Sequence, residues 1–151
     1  MWTCVLDGAR GWLHWADPLS PPPMEKDPEI TRAIEEGLEL FNRQSFFEAH
    51  EVWEEQWSES QEDERHLLQG LIQVAAGFYK LQVGVPAGTA KLLEKAQGHL
   101  SVVPADYYDL NLEGLLAEIE RWSTIARTMI EETSTYFDAA TLPRLERKAI
   151  H

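Results

Sequence analysis

Leu67-Leu68-Gln69-Gly70-Leu71-Ile72-Gln73-Val74-Ala75-Ala76-Gly77-Phe78-Tyr79-Lys80-Leu81 is the most apolar stretch of this 151-residue chain, and its period decides the fold. Leu67, Leu71, Val74, Phe78 and Leu81 return every three or four residues, the step of an α-helix, and Leu68, Ala75 and Tyr79 widen the stripe. So broad an apolar arc belongs in the middle of a bundle, not on its surface. The spacing predicts a helix from about Glu62 to Val83, with Gly84 as its stop. Pro86 then suits the first turn of a following helix that carries Ala90, Leu93, Ala96 and Leu100.

The same step continues in both directions. Upstream, Ile30, Ile34, Leu38 and Phe41 form one face of a first helix, with Glu29, Arg32, Glu35, Glu36 and Glu39 opposite. Ser45-Phe46-Phe47-Glu48 reads as a capping box that opens a second helix reaching about Trp57. Downstream, Pro104 and the pair Tyr107-Tyr108 mark a loop. Asn111 then caps a long helix through Leu112, Leu115, Ile119, Trp122, Ala126, Met129 and Thr133. No segment alternates with a period of two, so strands are not expected. The expected fold is all-α: a compact bundle of about five helices, built from two helical hairpins plus a long C-terminal helix, with the third helix near the centre. A shift of 41 residues superposes Leu40 on Leu81, Ala49 on Ala90 and Val52 on Leu93. This pattern is similar to that of tetratricopeptide hairpins, although their period is 34.

Three parts are expected along the chain. Residues 1–27 form an irregular arm with Trp2, Trp12, Trp15 and the run Pro21 to Pro23. Residues 28–137 form the helical domain, and 138–151 a short tail with Arg144, Arg147 and Lys148. A 44% hydrophobic content is enough for a core of its own. The charge is strongly negative, with 13 Lys and Arg against 26 Asp and Glu. Nucleic-acid backbones and anionic membranes are therefore not expected partners. No apolar run approaches the roughly 20 residues that span a bilayer. Asp7, Gly8 and Arg10 break up what would be the core of a leader peptide. Cys4 has no second cysteine to pair with. A cytoplasmic location is the expectation.

From Glu25 to His66 there are 14 acidic and 4 basic residues, and most of these carboxylates should form a solvated face. On a helical wheel, Glu48, Glu51 and Glu55 fall on the outer side of helix two. Phe46, Trp53 and Trp57 fall on the inner side. His50 lies between these aromatics and Phe47, and Glu54 follows it by four residues on the same flank. A partly buried histidine and glutamate in one place should be paired, metal-bound or catalytic.

The segment from Phe46 to Trp57, followed by Leu68 to Tyr79, resembles the family called domain of unknown function 309 over about residues 30 to 100. The family's hallmark, His-x-x-x-Glu-x-x-Trp, is met by His50, Glu54 and Trp57. The resemblance implies a compact helical bundle, a prokaryotic source and a suggested role in binding a divalent metal through His50 and Glu54. The biochemical role of the family is not established. Many relatives carry a histidine where this chain has Lys80, whose ammonium group cannot ligate a cation while charged.

Gln69, Gln73 and Lys80 share the polar side of helix three. Together with Trp57 they are candidates for the wall of a pocket around His50 and Glu54, the alternative being a solvent-facing edge. Two functions stand side by side. One is a His/Glu pocket holding a divalent metal. The other is a non-enzymatic helical-hairpin interaction module, binding a protein partner or a second copy of the chain, in which His50 and Glu54 are a structural pair. A metal enzyme typically needs three or more protein ligands, and the further candidates His14, His66 and His99 lie on other segments at distances the sequence does not set. There is no His-Glu-x-x-His pair, no repeated Glu-x-x-His and no Gly-x-Ser-x-Gly elbow.

Overall fold

The computed structural model describes residues 26–148, so the expected arm, apart from Lys26 and Asp27, and the last three residues of the tail lie outside the described residues. Five α-helices follow one another: α1 Pro28–Asn42, α2 Phe46–Trp57, α3 Glu62–Gln82, α4 Pro86–Leu100 and α5 Leu112–Glu131. Asp27 caps α1 by accepting from the Glu29 amide, and Asn111 caps α5 by accepting from the Gly114 amide. Pro86 opens α4 as expected. The capping box at Ser45 does not form, since that side chain makes no capping hydrogen bond. The turn before it closes α1 instead. Gln44 adopts a left-handed φ of 64°, its amide reaches the Phe41 carbonyl, and the Ser45 amide reaches the Leu40 carbonyl at 2.9 Å. This is a Schellman ending, which leaves Ser45 already committed to closing α1.

The α3 helix ends in the same way, with Gly84 at φ 83° and the Val85 amide on the Lys80 carbonyl at 2.8 Å. The two hairpins therefore repeat, with a shift of 40 residues instead of the expected 41. The longer shift would set Gly84 against Arg43 and miss the left-handed position. In the 40-residue register, buried positions fall on buried positions: Ile34 on Val74, Gly37 on Gly77, Phe41 on Leu81, Ala49 on Thr89 and Trp53 on Leu93. The contacts repeat as well. A Cβ at Gly37 would lie 2.2 Å from the Trp53 indole, and one at Gly77 would lie 3.2 Å from Leu93 Cδ2. Each hairpin is thus pulled together over a glycine. The Trp53 indole N–H donates to the Ala33 carbonyl at 3.1 Å, and the Thr89 hydroxyl donates to the Gly77 carbonyl at 2.8 Å.

Helix α3 packs between α2 and α4, α1 covers α2, and α5 covers α4. Phe78 is the meeting point of the core, with ring centroids 6.2 Å from Phe41, 5.6 Å from Phe46 and 5.9 Å from Trp122. After α5 the chain returns across the bundle and buries Leu142 and Leu145. The Asn42 side chain donates to the Leu145 carbonyl at 3.0 Å and accepts from its amide at 2.8 Å. A single antiparallel bridge joins Leu110 to Arg147, and among the described residues this is the extent of β-pairing. No described helix is long and apolar enough to cross a membrane.

Candidate functional site

Helix α2 is set in place by Phe46, Ala49 and Trp53, which are fully buried. That anchoring turns Glu48, Glu51 and Glu55 to solvent and leaves His50 and Trp57 partly covered. The His50 side chain is 21% exposed and Glu54 is 57% exposed, with Nε2 and Oε2 3.7 Å apart. This distance is too long for a hydrogen bond, and the two form an ion pair only when the imidazole carries a proton. Phe47 remains 44% exposed, and its ring centroid stands 5.6 Å from His50 and 5.2 Å from Tyr79. Three rings from α2 and α3 therefore form an aromatic patch, and Glu48, Glu51 and Glu54 are exposed on the same helix as Phe47 and His50.

His50 Nδ1 is buried without a hydrogen-bond partner, and so is Gln73 Oε1 on α3. A metal-bound histidine normally anchors its second ring nitrogen on a carboxylate, carbonyl or water, and His50 has no such protein anchor. Among the described residues, no three His, Cys, Asp or Glu side chains converge as metal ligands. His50 and Glu54 are thus two candidate donors with no third His, Cys, Asp or Glu converging on them among the described residues. Lys80 runs alongside α4, where a Cβ at Gly88 would lie 3.0 Å from its Cγ.

Trp57 and Gln69 meet elsewhere. With Glu62, Arg65, His66 and His99 they line a cavity of about 280 Å³ near the start of α3. Arg65 lies over the Trp57 ring, 3.9 Å from its centroid. His66 on α3 and His99 on α4 bring their Nδ1 atoms to 3.0 Å. A second cavity of about 460 Å³, lined by Asp63, Lys95, Gly98 and Val102, opens on the other side of the same two histidines. Burial, and after it the charge of His66, lowers the pKa of His99 from the ordinary value of 6.5. Sequence reasoning named both histidines but could not join them, because residues 33 positions apart meet only through the crossing of two helices.

A third polar group lies close by along the chain. The Tyr108 hydroxyl donates to Glu64 at 2.5 Å and accepts from the Asp27 amide at 2.9 Å. Burial, then the hydrogen bond to Glu64, raises the pKa of Tyr108. Tyr107 is pushed up to about 12 by burial, then by the Glu64, Asp63 and Glu62 carboxylates. Tyr108 and Asp109 both take left-handed backbone angles, φ 55° and 61°, uncommon for residues with side chains. Lys26 pairs with Asp109 and holds its carboxyl below the usual range.

Residues 34–92 match the model of the family described as domain of unknown function (DUF309). The match runs from within α1 to within α4 and includes His50, Glu54 and Trp57. No curated protein matches the chain.

Proposed function

We propose that this chain, which belongs to the domain of unknown function 309 family through residues 34–92, is a helical-hairpin interaction module that binds a protein partner through the aromatic patch of α2 and α3. The observation that carries this reading is Phe47, a large apolar ring left 44% exposed between His50 and Tyr79. Protein interfaces concentrate their energy in such aromatic centres, surrounded by a polar rim. The rim here is acidic, so the complementary partner offers an apolar anchor flanked by Lys or Arg. A second copy of a chain carrying a net charge of −13 is a poor match for that rim. In this reading His50 and Glu54 support the platform: the imidazole backs Phe47, and Glu54 supplies part of the negative edge.

A photo-crosslinking side chain in place of Phe47, activated in living cells, tests the proposal. The expected result is one discrete protein adduct that Glu51→Lys and Glu48→Lys each weaken. An adduct pattern identical to that of a crosslinker at exposed Glu94 on α4 would overturn it. The competing metal reading predicts a divalent ion retained in stoichiometric amount by protein purified without chelator and lost in His50→Ala. That result would replace the interaction reading.

A further inference from the structure

The contact between His66 and His99 joins two helices through their side chains and is open to solvent from two sides. One neutral imidazole can satisfy it by donating an N–H to the other. The ring centroids are 5.2 Å apart and the Nδ1 atoms 3.0 Å, so the rings now meet nearly end to end. The same spacing suits a different use. Two nitrogen ligands about 2.0–2.1 Å from one ion, at right or tetrahedral angles, stand roughly 2.9–3.4 Å apart. Swinging each of these surface rings by roughly 40–45° would turn both Nδ1 lone pairs toward a common point about 2.0–2.1 Å away.

We propose that His66 and His99 form a two-imidazole clamp for a divalent late first-row transition ion, independent of the aromatic patch around His50. Three features support the clamp. Imidazole nitrogen favours copper, nickel and zinc over the hard ions magnesium and calcium. The cavities of about 460 and 280 Å³ that flank the pair leave room for water to complete the coordination shell. Asp63 lines the larger cavity one turn before His66, and with Glu62 and Glu64 it makes the first turn of α3 negative. Lys95, in the same cavity, opposes a cation and holds the affinity below that of a closed structural site. With two protein nitrogens the site is an exchangeable chelate, and its preference should follow the general order of stability, copper(II) above nickel(II) and zinc(II).

Titration of the full chain with copper(II), nickel(II), zinc(II) and magnesium in a non-coordinating buffer tests the clamp, with copper(II) also followed by electron paramagnetic resonance. The expected result is one site per chain that takes copper most tightly, ignores magnesium and shows coupling to two nitrogens. His66→Ala and His99→Ala should each weaken copper binding at least tenfold, and Asp63→Asn a few-fold. His50→Ala should leave binding unchanged, which separates this site from the patch on α2. Both histidines lie at the surface, and thermal melts of the metal-free variants check that the fold is kept. Copper binding that survives both His66→Ala and His99→Ala, or a spectrum with a single coupled nitrogen, would overturn the proposal.

Discussion

The two ends of α3 are built on opposite principles. At its C-terminal end, Phe78 is locked among Phe41, Phe46 and Trp122, and the neighbouring Leu81 is buried. At its N-terminal end, Glu64, Arg65 and His66 each reach a polar or aromatic partner on a different segment: Tyr108, Trp57 and His99. Area removed from water stabilises the first end. The second end adds directional contacts from its first turns, some of which solvent can compete for, to the burial of Leu67, Leu68 and Tyr108. One helix thus serves as the pillar of the bundle at one end and as a rack of chemically active groups at the other.

The sharpest way to break this contrast is Phe78→Ala. Removing a fully buried ring from the centre of the core should cost about 3–5 kcal/mol, measured by urea unfolding. A cost below that of the polar-end variants would invert the comparison. Tyr108→Phe comes next. It deprives Glu64 and the Asp27 amide of the hydroxyl they share, for a loss of about 1–3 kcal/mol. A smaller change would mean that water replaces the hydroxyl freely. Arg65→Gln removes the cation over Trp57 and should cost about 0.5–1 kcal/mol, accompanied by a change in Trp57 fluorescence.

The smallest effect carries a pH signature. Because folding lowers the pKa of His99, the unfolded chain takes up that proton first, so this group weakens the fold as pH falls below its ordinary value of 6.5. Above that value its contribution is level. The groups facing it are Glu62, Asp63, Arg65 and His66 on α3 and Lys95 on its own helix. His99→Gln should flatten this part of the stability profile between pH 8 and 5 in the presence of EDTA. An unchanged profile would show that neither burial nor His66 holds the His99 pKa below its ordinary value in the folded chain.

Much of the fold was legible because helices announce themselves locally. The period from Leu67 to Leu81, the proline at the start of α4 and the asparagine before α5 each act within a few residues of their own position. The missed details are those that depend on neighbours. Ser45 looks like a cap until the Schellman turn before it claims its amide, and the repeat register shows only once Gln44 and Gly84 are seen in the same left-handed role. The orientation of α2 was readable from Phe46, Trp53 and the three outer glutamates. The grouping of Trp57 and Gln69 with His66 and His99 was not, since it depends on where the start of α3 meets the end of α4.

The hold of Asn42 on Leu145 also has a consequence for the timing of synthesis. The two residues are 103 positions apart. At roughly 5–20 residues per second, the end of α1 waits on the order of 5–20 s for its partner to be made. Both hairpins are translated in that interval, so they can form first, and the closing segment arrives as a latch on a nearly finished bundle. Until it does, the apolar surface later covered by Leu142 and Leu145 stays open to water, and a nascent chain stalled short of Leu142 should be the form most exposed to chaperones and proteases.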